Sequence, residues 1–170
     1  DFLSINHTLR RDFELDLPFP DQLGADRLAN VAGALTLVEP PLLIVAAGTA
    51  TPFCLVDQRR AYVGGAIVPG LDTSWRALQA RAAKLFSVEL KRPQSAVGNT
   101  TELQLQSGVL QGYEALIEGM ADRLLRDAGF EQASLLATGG CINLIQLSPR
   151  FRFEPDLTLL GLFRYGQLNG

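Results

Sequence analysis

One histidine and two cysteines in 170 residues leave little room for metal or thiol chemistry. Cys54 and Cys141 lie far apart with no CxxC spacing, and a single histidine cannot complete a zinc set, so no metal site is expected. The plain reading is two buried, reduced thiols in a cytoplasmic protein. No apolar run approaches the roughly 18 residues that a membrane span needs. The opening Asp1-Phe2-Leu3-Ser4 has neither the basic start nor the apolar stretch of a secretory signal. Lysine and arginine form no runs and the formal net charge is -3. The basic footprint of a nucleic-acid binder is therefore missing. An anionic ligand would have to be held by local donors, of which backbone amides at glycine turns and helix starts are the first candidates.

What is present fits a globular fold. The apolar share is 47%, enough for one core or two closely joined lobes at this length. Residues 1–20 read as mixed and extended, ending in Leu17-Pro18-Phe19-Pro20, whose prolines block a helix. Leu28, Val31 and Leu35 recur at helical spacing, which predicts a helix from Gly24 to about Leu37 with Asp26 in its first turn. Glu39-Pro40-Pro41 stops it. Leu42 to Ala47 is a continuous apolar run, the pattern of a strand buried on both faces. Gly48-Thr49-Ala50-Thr51 then turns the chain into a second strand through Val56, and Tyr62 to Val68 makes a third. A helix over 73–86, a loop over 92–98, a strand over Ser134 to Ala137, a brief helix after Thr138-Gly139-Gly140, and a last helix capped by Asp156 through about Tyr165 follow. Strands flanked by helices make the class α/β.

A long helix over Thr101 to Ala128 carries two different faces. Leu110, Tyr113, Ile117, Met120 and Leu124 form an apolar stripe. Gly108, Gly112, Ala115 and Gly119 follow the same alternation on nearly the opposite side. Each interior glycine costs about 1 kcal/mol against alanine, so a row of them suggests close approach of another backbone. That backbone belongs either to the same subunit or to a second copy.

Several segments now read together: Leu23-Gly24-Ala25-Asp26-Arg27 with Ala29-Asn30, Gly48-Thr49-Ala50-Thr51, Gly64 through Leu71, Gly98-Asn99-Thr100-Thr101 with Gln106-Ser107-Gly108, Thr138-Gly139-Gly140, and Pro155-Asp156-Leu157-Thr158-Leu159 with Gly161-Leu162. In this order, over residues 17–162, the chain resembles the type III pantothenate kinases of the actin/hexokinase/Hsp70-like ATPase superfamily. The resemblance implies a ribonuclease H-like domain with a mixed sheet flanked by helices. It also implies ATP-dependent phosphorylation of pantothenate, Mg2+, a monovalent cation (K+ or NH4+), and a homodimer that shares its substrate site. By position, Asp26 matches the general base and Gly24, Ala25, Asp26 and Arg27 the pantothenate-binding stretch. Thr101 matches a substrate contact lent by the dimer mate, and Gly48, Thr49, Gly139 and Gly140 match nucleotide contacts. For Asp26 the plainer role is a first-turn acid on the helix dipole; for Thr101 it is helix capping; for Gly139-Gly140 it is a turn.

The pattern also departs from that family. The opening strand and turn that hold phosphates and metal have no counterpart in residues 1–23, which are read as a remnant or linker of an incomplete first lobe. Residues 24–170 are then the C-terminal ribonuclease H-like kinase domain. Ala46 replaces the aspartate that the resemblance implies for the monovalent cation, Cys54 replaces another aspartate, and Leu17 stands in the place of a substrate-contacting tyrosine. An alanine methyl supplies no oxygen ligand. Two functions are compatible with these residues: a pantothenate kinase impaired in this chain alone, or a non-catalytic dimeric homologue with a binding or transcription-accessory role.

Overall fold

A computed structural model describes residues 4–81 and 88–170. The apolar run over Leu42–Ala46 (β2) forms the middle of a mixed sheet. Its neighbours are Ala50–Val56 (β3), antiparallel, and Ser134–Thr138 (β5), parallel; Ala61–Pro69 (β4) pairs antiparallel with the far side of β3. Two short strands complete the edges: Glu14–Leu15 (β1) beside β4 and Phe151–Phe153 (β6) beside β5, each parallel to its neighbour. The order is β1-β4-β3-β2-β5-β6. Neither edge strand is expected from the sequence, because two or three residues carry no readable alternation.

Alternation along β2 divides the core. Leu42 and Ile44 face one side, Leu43 and Val45 the other, and all four are buried. The first side packs Leu28 and Val31 of Ala25–Ala34 (α1) with Leu157 and Tyr165 of Leu157–Asn169 (α4). The second packs Leu71 of Leu71–Arg81 (α2) with Leu110, Tyr113 and Ile117 of Thr101–Ala128 (α3). Helices thus cover both faces, which is why the β2 run has no polar alternation.

Helix boundaries differ from the sequence pattern where caps intervene. α1 stops at Ala34 rather than near Leu37 because the Thr36 hydroxyl donates to the Gly33 carbonyl at 2.7 Å and the amides of Leu37 and Val38 both turn to Ala34. α2 begins at Leu71, and the 82–86 part of the expected helix lies outside the described residues. α3 matches its expected bounds, but Thr100, not Thr101, caps it: the Thr100 hydroxyl accepts from the Leu103 amide at 3.2 Å. Asp156 occupies the start of α4 without a side-chain capping bond. That helix runs on to Asn169, whose side chain bonds both backbone groups of Arg10, at 2.9 and 2.8 Å. Cys54 is buried as expected, whereas Cys141 is only partly so.

The apolar stripe of α3 buries Leu110, Tyr113 and Ile117, with Met120 and Leu124 packed at its margin. The glycine face does not pack against the other described residues. Gly108, Gly112 and Gly119 are exposed, and among the described residues no atom comes within 4 Å of a methyl built on any of them.

Candidate functional site

The close approach of α1 and α4 shapes one wall of the site. A Cβ at Gly161 would lie 1.8 Å from the Ala29 carbonyl oxygen, and one at Gly33 would lie 2.3 Å from that of Leu157. Only glycine permits helices this near. The approach brings the Thr158 hydroxyl to 2.7 Å from Asn30 Oδ1, a bond between residues far apart in the chain.

In front of this wall opens a cleft of about 450 Å³ at the ends of β2 and β5. Asp26 and Arg27 enter it from the first turn of α1, Gly48 and Thr49 from the turn after β2, and Gly139 from the turn after β5. Asn30, Thr138 and Thr158 line its inner side. Gly139 has φ +105°, a conformation that favours glycine, and a Cβ there would meet the Ala47 backbone at 2.4 Å. The turn is therefore both left-handed and pressed against its neighbour.

Donors and acceptors in the cleft are unequally distributed. The backbone amides of Thr49, Gly139 and Gly140 find no acceptor among the described residues. The Gly48 amide is already engaged with the carbonyls of Ala46 and Ala50 at 3.1 and 3.3 Å, so its contribution is the turn rather than a donor. Asp26 is exposed and is the single carboxylate lining the cleft. Gly24 precedes it as the α1 N-cap, and a Cβ at Gly24 would sit 2.6 Å from Asp26 Oδ1. The glycine leaves room for the carboxylate.

A second cavity of about 380 Å³ adjoins the first and shares Arg27 and Ile67 with it. Leu17, Phe53 and Tyr62 line it, and the Arg27 guanidinium donates to the Gln22 carbonyl at 3.1 Å on its rim. The Tyr62 hydroxyl donates to Cys54 Sγ at 3.8 Å. Burial pushes the Cys54 thiol up to about 11, against the smaller opposing effects of the Tyr62 bond and the Arg27 charge. Burial likewise raises the Tyr62 hydroxyl. Cys54 is thus a protonated core group.

Of the residues singled out from the sequence, Asp26, Arg27, Ala46, Gly48, Thr49 and Gly139 come together in one cleft. Gly24 and Ala25 precede Asp26 in the chain, and Gly140 is exposed just beyond. Thr101 is exposed at the start of α3 and lines neither cavity. Asn30 and Thr158 were assigned no role, although Asn30 follows Asp26 by four residues, the spacing that puts two side chains on one helix face. The donor set does not fit a metal held by protein side chains. Ala46 offers a methyl, Asp26 is alone, and no group of three or more His, Cys, Asp or Glu residues is poised for a metal among the described residues.

The mixed sheet covered on both faces, with a cleft where loops leave the parallel strands, defines an actin-like ATPase domain. A family model described as type III pantothenate kinase matches residues 2–123. The chain belongs to that family. It is 43% identical over 145 residues to a type III pantothenate kinase of Thermomicrobium roseum, covering 84% of this chain and 56% of the relative. It is 39% identical over 169 residues to one of Roseiflexus sp., covering 98% of this chain and 66% of the relative. The chain therefore spans between half and two thirds of these relatives. A solved structure described as a conserved Baf family transcriptional activator from Campylobacter jejuni superposes with a TM-score of 0.65 at 20% identity, over 91% of this chain and 67% of that one. At that identity the likeness concerns the fold alone. No described helix is long and apolar enough to cross a membrane.

Proposed function

We propose that this chain carries the pantothenate-facing and nucleotide-facing walls of an ATP-dependent pantothenate kinase working in the cytoplasm on coenzyme A synthesis. One observation carries the proposal: Asp26, Arg27, Thr49 and Gly139, drawn from three separate segments, line one cleft. Residues 24–170 form the kinase domain in this reading and residues 1–23 a remnant or linker of a first lobe, of which Glu14–Leu15 joins the same sheet.

Phosphoryl transfer depends mainly on positioning and on stabilising charge. Asp26, exposed at the cleft mouth, accepts the proton of the substrate's primary hydroxyl as that oxygen bonds to the γ-phosphorus. The bond from γ-phosphorus to the bridging oxygen breaks and ADP leaves. The free amides of Thr49 and Gly139 suit phosphate oxygens. Arg27, between the two cavities, is placed to meet the substrate's carboxylate or amide oxygens, with Leu17 and Tyr62 flanking its apolar part. Magnesium in such reactions is held chiefly by substrate phosphates, and no step here runs through a protein-bound cation. The exposed Gly108/Gly112/Gly119 face supports a homodimer, across which Thr101 would be lent to the partner's site.

A coupled ADP-release assay on the 170-residue chain with ATP, magnesium, potassium and pantothenate tests the proposal. Weak pantothenate-dependent turnover by the chain alone that disappears in Asp26→Asn is the expected result. Turnover that ignores pantothenate, or survives Asp26→Asn, discards it.

A further inference from the structure

We propose that the side-chain amide of Asn30, oriented by the hydroxyl of Thr158, donates to a phosphoryl oxygen of the ligand in the Asp26 cleft. This rests on the kinase reading and adds a contact to it. Asn30 is only 3% exposed and yet lines the cleft. Its Oδ1 is occupied by the Thr158 hydroxyl at 2.7 Å. Its Nδ2 has no acceptor among the described residues and is not among the polar atoms sealed from solvent. A buried amide whose acceptor end is satisfied and whose donor end is free faces the one direction left open, the cleft. That donor end reaches solvent through the cleft, so a ligand acceptor can take the place of water there.

The chemistry of the missing partner follows from the neighbours. Asn30 lies one helical turn after Asp26 on the same face, about 6 Å along the axis. Asp26 accepts, so the group beside it is a hydroxyl; Asn30 Nδ2 only donates, so the group beside it is an acceptor. The amides of Thr49 and Gly139, also unpartnered, line the same cleft. Donors from three elements around one space suit an oxygen cluster such as a phosphoryl group better than a lone carbonyl. Thr158 decides which end of the amide is presented. With its hydroxyl donating to Oδ1 the NH2 faces outward; without it the amide can rotate and set an acceptor against phosphate. Thr158 is therefore a positioning residue, and the α1–α4 approach through Gly33 and Gly161 puts it in reach.

The test uses the 15N-labelled chain, with the Asn30 side-chain amide signal assigned by its loss in Asn30→Asp. ADP and pyrophosphate are expected to shift that signal, whereas adenosine and pantothenate leave it in place. Thr158→Val, which keeps the shape and removes the hydroxyl, should weaken ADP binding about tenfold, the worth of one such bond, and Thr158→Ser should restore it. If ADP moves the Thr49 and Gly139 amides but not Asn30, or pantothenate alone moves Asn30, the inference is overturned while the kinase reading stands. Unchanged ADP affinity in a folded Thr158→Val removes the role of Thr158. If no cleft amide responds to ADP or to pantothenate, the kinase reading fails first and this inference with it.

Discussion

Gly161 lies so close to Ala29 that a methyl on it would reach 1.8 Å from the Ala29 carbonyl oxygen. The clash is with backbone, which cannot swing aside, so α4 must move off α1. Gly161→Ala should therefore destabilise the fold by about 1–3 kcal/mol, the usual range for overpacking. Gly166, in the same helix, has nothing within 4 Å of a built Cβ. Gly166→Ala should gain up to about 1 kcal/mol from helix propensity. Urea unfolding of both variants checks the pair. Equal effects would mean that the helices are not in contact as described.

On the proposed kinase reading, Asp26→Asn should separate catalysis from folding. The residue is exposed in the first turn of α1, so its charge is worth no more than about 0.3–1 kcal/mol against the helix dipole. A general base contributes about 10²- to 10⁴-fold in rate. The expected variant is folded by circular dichroism and silent, or nearly so, in the coupled assay.

Cys54 predicts an alkaline limb of stability. Its thiol is raised from 9.0 to about 11 by burial. Below pH 9 folded and unfolded thiols are both protonated, and the group adds no pH dependence. Above it the unfolded thiol ionises while the buried one keeps its proton, so stability falls as pH rises from about 9 to about 11. The full loss is about 2–3 kcal/mol. Cys54→Val should flatten this limb in denaturant titrations. In the native chain, an alkylating reagent should label the partly buried Cys141 before Cys54.

The open face of α3 predicts where bulk is tolerated and where it is not. A Cβ at position 112 meets no described atom within 4 Å, so Gly112→Leu should leave the monomer at least as stable as before, with up to about 1 kcal/mol gained from helix propensity. If two copies pair through Gly108, Gly112 and Gly119, the same change should abolish the dimer in sedimentation velocity. A dimer indifferent to Leu at 112 would place the interface elsewhere.

Much of the fold was legible because its signals are local. The unbroken apolar run of β2 announces burial on both faces, and the threes and fours of Leu110, Tyr113 and Ile117 announce the core side of α3. Boundaries failed where a side chain competed with the helix, as Thr36 does at the end of α1. The edge strands β1 and β6 failed because their pairing partners, not their composition, make them strands.

The candidate site divides along the same line. Glycine-bearing segments in order were enough to reveal the family the chain resembles, and that resemblance marked Asp26, Thr49 and Gly139. The order of residues could not show that Asn30 bonds Thr158, that the Gly48 amide is already spent within its own turn, or that the glycine face of α3 meets none of the other described residues. The Asn30–Thr158 bond joins segments far apart in the chain, which packing alone brings within the few ångströms over which hydrogen bonds act, and the Gly48 bonds depend on the backbone geometry of one turn.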